Sequence, residues 1–245
     1  MVQKGNPHQL PIRQHTYPAK SISRFCGSSG GVEVHFKTQQ LNRLLRPTDP
    51  PFVVKQYWDA KAEGHFKDIE DDFQVLVERL NVNGIIRPEI LDHRVVSRMY
   101  AGWYARAHFA KIDDQQTRGI VGPSVNYSDN EREQLEKAGI ITISDDCKIA
   151  GRQMAWPIML RRMDEIEAQL RGRQWGVLTA SIGEFLVPDK PPNDLIALPI
   201  TPRHMFYLDH PSQTVPLVSV TEVNGIFVRG AQSYYFAREI ERCPR

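Results

Sequence analysis

A chain of 245 residues with 41% hydrophobic content has apolar mass enough for one large domain or two small ones. Its formal net charge of +2 lacks the marked basic excess of an electrostatic nucleic-acid binder, and no apolar run approaches the roughly 18 residues that a membrane span needs. Cys26, Cys147 and Cys243 stand in no Cys-x-x-Cys spacing, so neither a disulfide framework nor a zinc site is indicated. A cytoplasmic protein without cofactor or metal is the expectation, since the polar N-terminus also lacks an apolar signal-peptide core. Charge is nevertheless uneven: residues 1–60 hold eight Lys and Arg against three Asp and Glu, and residues 61–90 hold seven acids against four bases. The simplest account is that the two regions touch; the other is a basic arm that reaches an acidic partner.

Residues 1–24 carry Pro7, Pro11 and Pro18 and read as an extended N-terminal arm, followed by a single α+β domain over 25–245. The segments ISRFC and VEVHF flank Gly-Ser-Ser-Gly-Gly at 27–31, which predicts a β-hairpin. Trp58, Ala62, Phe66, Ile69, Phe73, Leu76 and Leu80 recur every three or four residues, the stripe of an amphipathic helix over 56–80. A second long helix should start near Pro88 and reach about Lys111, with NVNGII joining the two. Ser128 and Glu131 have capping-box spacing, with Gly139 as the stop of a short helix over 129–138, and Trp156-Pro157 should open another helix that ends near Arg171. This helical middle, 56–171, leads into a strand-rich block, 175–240, with runs VLTA, EFLVP, LIALPI and HMFYL, a turn at HPSQ, a helix near 218–231 and a last strand in SYYFARE.

No Gly-x-Ser-x-Gly elbow or phosphate-loop signature occurs, and VEVHFK lacks the Glu-x-Lys spacing of a restriction-nuclease centre. Asp59, Glu63 and Glu70 fall near one face of the first long helix, where a solvated or salt-bridged face is the common meaning of such acids. His15 offers a general base and Arg24 an anion clamp, with capping or a surface position as the ordinary alternative. Arg94, Arg98 and Arg106 alternate with Tyr100, Tyr104 and His108, a mixture that suits nucleic-acid stacking but suits a buried helix with snorkelling arginines better. Gln40, Leu41, Leu44 and Leu45, in QLNRLL, loosely match the glutamine-leucine peptides that dock in the groove of the bacterial replication sliding clamp, although the fourth position is Arg43.

HTYPAKSISRF, YWDAKAEGHFKDIEDDF, LTASIGEFLVPDKP with LIALPITPRHMFYLD, and VNGIFVRGAQSYYFARE together resemble the bacterial family known as domain of unknown function 4238. The order His15, Pro18, Arg24-Phe25 departs from the usual family segment, and Pro188-Asp189-Lys190-Pro191 replaces its Ser-Asp-Asn-Pro turn. The resemblance implies a recurrent fold rather than a reaction, and implies that His15, Arg24, Asp59, Glu63, Asp189 and Arg203 converge. The fold expected is α+β: an N-terminal β-hairpin, a central helical layer and a C-terminal, mostly antiparallel sheet. By analogy with small compact bacterial effectors, one function is a toxin-like inhibitor that binds a macromolecular machine such as the replication clamp, with an antitoxin-like neighbour as a second protein partner. The other is an enzyme acting on nucleic acid or nucleotides, with His15, Asp59 and Glu63 as catalytic groups and Arg24, Asp189 and Arg203 as its anion-binding or polar set.

Overall fold

The computed structural model describes residues 3–82, 85–109, 112–116, 127–144 and 146–245. In chain order the elements are β1 (Arg13–His15), α1 (Ala19–Ser23), β2 (Val32–Phe36), β3 (Leu41–Leu45), β4 (Val53–Lys55), α2 (Ala60–Leu80), β5 (Asn81–Val82), β6 (Ile85–Ile86), α3 (His93–Phe109), β7 (Gln115–Gln116), α4 (Asp129–Lys137), β8 (Lys148–Ile149) and α5 (Gly151–Leu170). There follow β9 (Trp175–Ala180), β10 (Val187–Pro188), β11 (Ala197–Thr201), β12 (His204–Leu208), β13 (Gln213–Val215), α6 (Leu217–Gly230) and β14 (Tyr234–Ala237). The class is α+β. Two four-stranded sheets dominate, ordered β10-β14-β2-β3 and β11-β12-β9-β13, antiparallel throughout except for β13 beside β9. The strand-rich C-terminal block is thus divided, because β14 pairs with β2 across some two hundred residues of chain, Phe236 opposite Val34.

Alternation along the strands explains why their sequences read as nearly continuous apolar runs. Trp175, Val177, Phe206 and Phe236 enter one core with Phe66 and Phe73 of α2, Trp103 of α3 and Met159 of α5. Their neighbours Leu178, Met205 and Tyr235 enter a second core with Val220, Val223 and Phe227 of α6. A strand covered on both faces has no solvent side to mark with polar residues. Each buried aromatic contributes about 1.5–3 kcal/mol of transfer free energy, so the two cores carry most of the stabilisation.

The N-terminal hairpin is β2 and β3, one strand later than the glycine run suggested. Ile22 and Phe25, both fully buried, share a face only if the chain is helical there, and α1 forms instead of a strand. The expected arm is folded onto the domain from residue 10 onwards: Leu10 and Tyr17 are buried, β1 pairs with β4, and the Tyr17 hydroxyl donates to the Pro199 carbonyl at 2.7 Å. The basic and acidic regions do meet, through Lys20 and Glu78 at 2.6 Å.

Helix α2 carries its stripe from Ala62 to Leu80 but starts at Ala60 rather than at 56, so Trp58 precedes it; Asp59 is the N-cap, its carboxylate accepting from the Ala62 amide at 2.8 Å. Pro88 opens a single 3₁₀ turn, and α3 starts five residues later, where Asp92 accepts from the amides of Arg94 and Val95. The expected end at Lys111 lies outside the described residues. Both halves of the capping box at Ser128 and Glu131 form, and Gly139 takes a φ of +75° at the stop. Helix α5 begins at Gly151 rather than at Trp156, and Pro157 lies inside it. Its first turn is closed by tertiary contacts: the Gly151 amide donates to Asp114 at 2.8 Å, and a Cβ there would stand 1.8 Å from the Ile112 carbonyl oxygen.

Candidate functional site

Spacing along α2 places Glu63 and Glu70 two turns apart, facing α3 and β1. Arg106 of α3, only 3% exposed, ion-pairs with Glu70, donates to the His15 carbonyl at 3.0 Å and lies 4.8 Å over the Phe66 ring. Glu63 accepts from the Trp58 indole at 2.6 Å; burial raises its carboxyl, and the indole bond opposes that rise. Burial likewise lowers the His15 imidazole, whose Nε2 faces the Pro47 carbonyl at 3.2 Å. A neutral ring donates through Nε2 there and keeps Nδ1 as its basic nitrogen. His15, Glu63, Glu70 and Arg106 therefore lie together at the junction of β1, α2 and α3, where Arg106 links Glu70 to the His15 carbonyl while the Glu63 carboxylate and the His15 ring are engaged by Trp58 and Pro47.

The remaining sequence-selected residues keep other company. The Asp59 carboxyl, raised chiefly by burial, caps α2 and feels Glu136 and Lys61. Arg24 is half-buried between Tyr17 and Glu78, and its Nη1 has no hydrogen-bond partner among the described residues. Asp189 follows β10 and accepts from the amides of Gln232 and Ser233, both at 2.7 Å, and of Tyr234 at 3.4 Å. Burial raises its carboxyl while those three amides favour the ionised form. Arg203, in the turn between β11 and β12, donates to the Ala180 carbonyl at 2.6 and 3.1 Å and to that of Ser181 at 3.0 Å. Asp189 and Arg203 thus belong to separate sheets with separate backbone partners, and the six positions share no common set of contacts. Sequence reading passed over the organising role of Arg106; its place one turn after Gly102, against Phe66, was the available signal.

On α3 the mixed cation and aromatic face resolves mainly as the buried alternative, with Tyr100 and Arg106 inside and Arg94 exposed. Among the described residues no group of three or more His, Cys, Asp and Glu side chains is arranged to hold a metal ion, and no helix is long and apolar enough to cross a membrane.

Gln40, Leu41, Leu44 and Leu45 fall on or beside β3, one of the two edge strands of its sheet. Gln40 takes a φ of +50° in the turn, and its amide donates to the Lys37 carbonyl at 2.6 Å. Leu45 packs against the core opposite Val32, whereas Leu41 and Leu44 are 41% and 59% exposed. Around Leu44 the outer face is fixed by polar bonds, since Asn42 joins His35 at 2.7 Å and Glu33 at 3.0 Å. Comparison with protein-family models, with curated proteins and with solved structures returns no match.

Proposed function

We propose that this chain is an interaction protein that acts by binding a protein partner, and that β3 carries the contact. The observation that supports this reading is Leu44, a large apolar side chain more than half exposed on an edge strand whose outer backbone groups have no neighbouring strand among the described residues. Such an edge accepts an added strand or a shallow groove, with main-chain bonds giving affinity and alternate side chains giving specificity. Toxin-like inhibition of the bacterial replication sliding clamp is the particular form we favour, through Gln40, Leu41 and Leu44. In that case the chain offers a strand held in a hairpin rather than a loose peptide, because five register pairs tie β3 to β2 and Leu45 is anchored in the core. The enzyme reading on His15, Asp59 and Glu63 has less support, as Asp59 is spent on a helix cap and Glu63 on an indole.

The test measures binding of a purified bacterial sliding clamp to the wild-type chain and to a Gln40→Ala, Leu44→Ala variant, with growth arrest on induction scored in parallel. Loss of about 2–3 kcal/mol of affinity, together with relief of arrest, is expected if Leu44 is an anchor. Binding and arrest that both survive the double substitution reject β3 as the contact.

A further inference from the structure

The first turn of α3, the end of α5 and the segment that leads from α5 to β9 form a cleft of about 490 Å³ lined by His93, Arg94, Ser97, Glu167, Arg171 and Arg173 among others. Several arginines elsewhere are spent on carboxylates or carbonyls, as Arg106, Arg152, Arg203 and Arg238 are. In this cleft Arg94 and Arg171 are exposed, and neither guanidinium hydrogen-bonds a carboxylate among the described residues. Arg173 is held in place by Asp209, which accepts from its Nε at 2.8 Å and its Nη2 at 2.5 Å. Glu167 is the acid of the lining, and Asp92, next to His93 in the chain, is occupied in capping α3.

Two neutral donors complete the set. The Trp175 amide donates to His93 Nδ1 at 3.0 Å, so the ring must carry its proton on Nε2 and can donate only from there. Ser97, 8% exposed, accepts from the Trp175 indole at 2.9 Å, and its own hydroxyl hydrogen has no acceptor among the described residues. A backbone amide and an indole thus orient both donors before any ligand arrives. A buried hydroxyl donor and two exposed guanidinium forks in one concavity suit an anion.

We propose that this cleft is a binding site for a phosphate monoester. Two guanidinium forks, an imidazole Nε2–H and a serine hydroxyl offer more donors than a carboxylate can accept, whereas a tetrahedral dianion takes them on three oxygens. Burial raises the Glu167 carboxyl, with Arg98 and Arg94 acting against the rise and Asp164 with it. The aliphatic side chain of Leu170 gives the organic part of the ester an apolar wall. This site is independent of β3 and does not require that strand to bind anything.

The test is isothermal titration of the purified chain with inorganic phosphate at fixed ionic strength, with acetate as the comparison anion. The wild type should show saturable one-site binding of phosphate and none of acetate. Arg171→Ala should weaken it about tenfold, in keeping with loss of one charge-assisted contact, and Arg94→Ala with Arg171→Ala should weaken it further. Arg161→Ala, on the exposed face of the same helix where Arg161 pairs with Glu165 at 2.9 Å, should bind as the wild type does. Arg94 and Arg171 are both exposed, so unchanged circular dichroism and melting temperature should accompany the loss. Absence of saturable phosphate binding by the wild type, equal binding of acetate, or an Arg94, Arg171 double variant that binds like the wild type overturns the proposal.

Discussion

Glu70 on α2 accepts from Arg106 Nη1 on α3, and the same nitrogen donates to the His15 carbonyl at 3.0 Å, so one buried guanidinium joins two helices and β1. Removing the carboxylate leaves a cation that is 3% exposed with a carbonyl and an aromatic face for compensation. Glu70→Ala is expected to lower the unfolding free energy by about 3 kcal/mol, the usual cost of breaking one side of a buried pair. Adding Arg106→Met should recover much of that loss, because the stranded charge is gone. Urea unfolding at neutral pH measures both; a Glu70→Ala cost within a few tenths of a kcal/mol would show that solvent screens the pair.

Asp59 separates a capping role from a catalytic one. Its carboxylate closes the first turn of α2 on the Ala62 amide, and an asparagine oxygen can do the same. Asp59→Ala should cost about 1 kcal/mol of stability and Asp59→Asn much less. Growth arrest, if the chain causes it, should persist in Asp59→Asn. An arrest abolished in a stable Asn variant would return Asp59 to the catalytic set.

How far the sequence spoke for the fold depended on how local each cause was. The α2 stripe, the Ser128 and Glu131 box and the runs that became β9, β11 and β12 are local patterns, and they form where the spacing puts them. The start of α5 was hidden because its cap is Asp114, thirty-seven residues upstream, and its first turn is set by the close approach of Gly151 to Ile112. The pairing of β14 with β2 is set by two cores that only the folded chain possesses. Of the site, Glu63, Glu70 and His15 were legible as residue types, but Arg106 as their link was not. The basic cleft is built from helix ends, His93-Arg94 at one and Arg171-Gly172-Arg173 at the other, and no single window of sequence contains it.

His204 gives the pH dependence of stability a definite sign. Burial, with the adjacent Arg203 charge, lowers its imidazole from 6.5 to about 4, and its Nδ1 lies 2.8 Å from the Thr201 hydroxyl. A folded-state value below the unfolded one means that the neutral ring stabilises the protein above pH 6.5, and that this contribution is lost as pH falls from there towards about 4. His15, His65 and His108 are lowered by burial in the same sense. The raised carboxyls of Asp59, Glu63 and Asp189 act oppositely, losing stability as pH rises above the unfolded carboxyl range. The diagnostic is therefore a difference: His204→Gln should show a flatter fall in urea midpoint between pH 6.5 and about 4 than the wild type. Parallel profiles for the two proteins would place the acid sensitivity elsewhere.

Asn224 of α6 is fully buried and satisfied on three sides. Its Oδ1 accepts from the Leu186 amide at 3.1 Å, and its Nδ2 donates to the carbonyls of Glu184 at 2.8 Å and Pro244 at 2.9 Å. These bonds tie α6 to the segment before β10 and to the C-terminus, within the second core. Asn224→Leu preserves volume but strands a buried amide and two carbonyls, and should cost about 3 kcal/mol, with the Leu186 amide exchanging its hydrogen faster than its neighbours. Asn224→Asp keeps the acceptor for Leu186 while turning a charged oxygen towards two carbonyl oxygens, so it should be the worse variant at neutral pH. Protonation of that new carboxyl restores a donor, and part of the lost stability should return as the pH is lowered. Urea unfolding of the two variants at neutral and acidic pH checks the order, and an Asp variant that equals Leu at both would mean that water, not α6, satisfies those carbonyls.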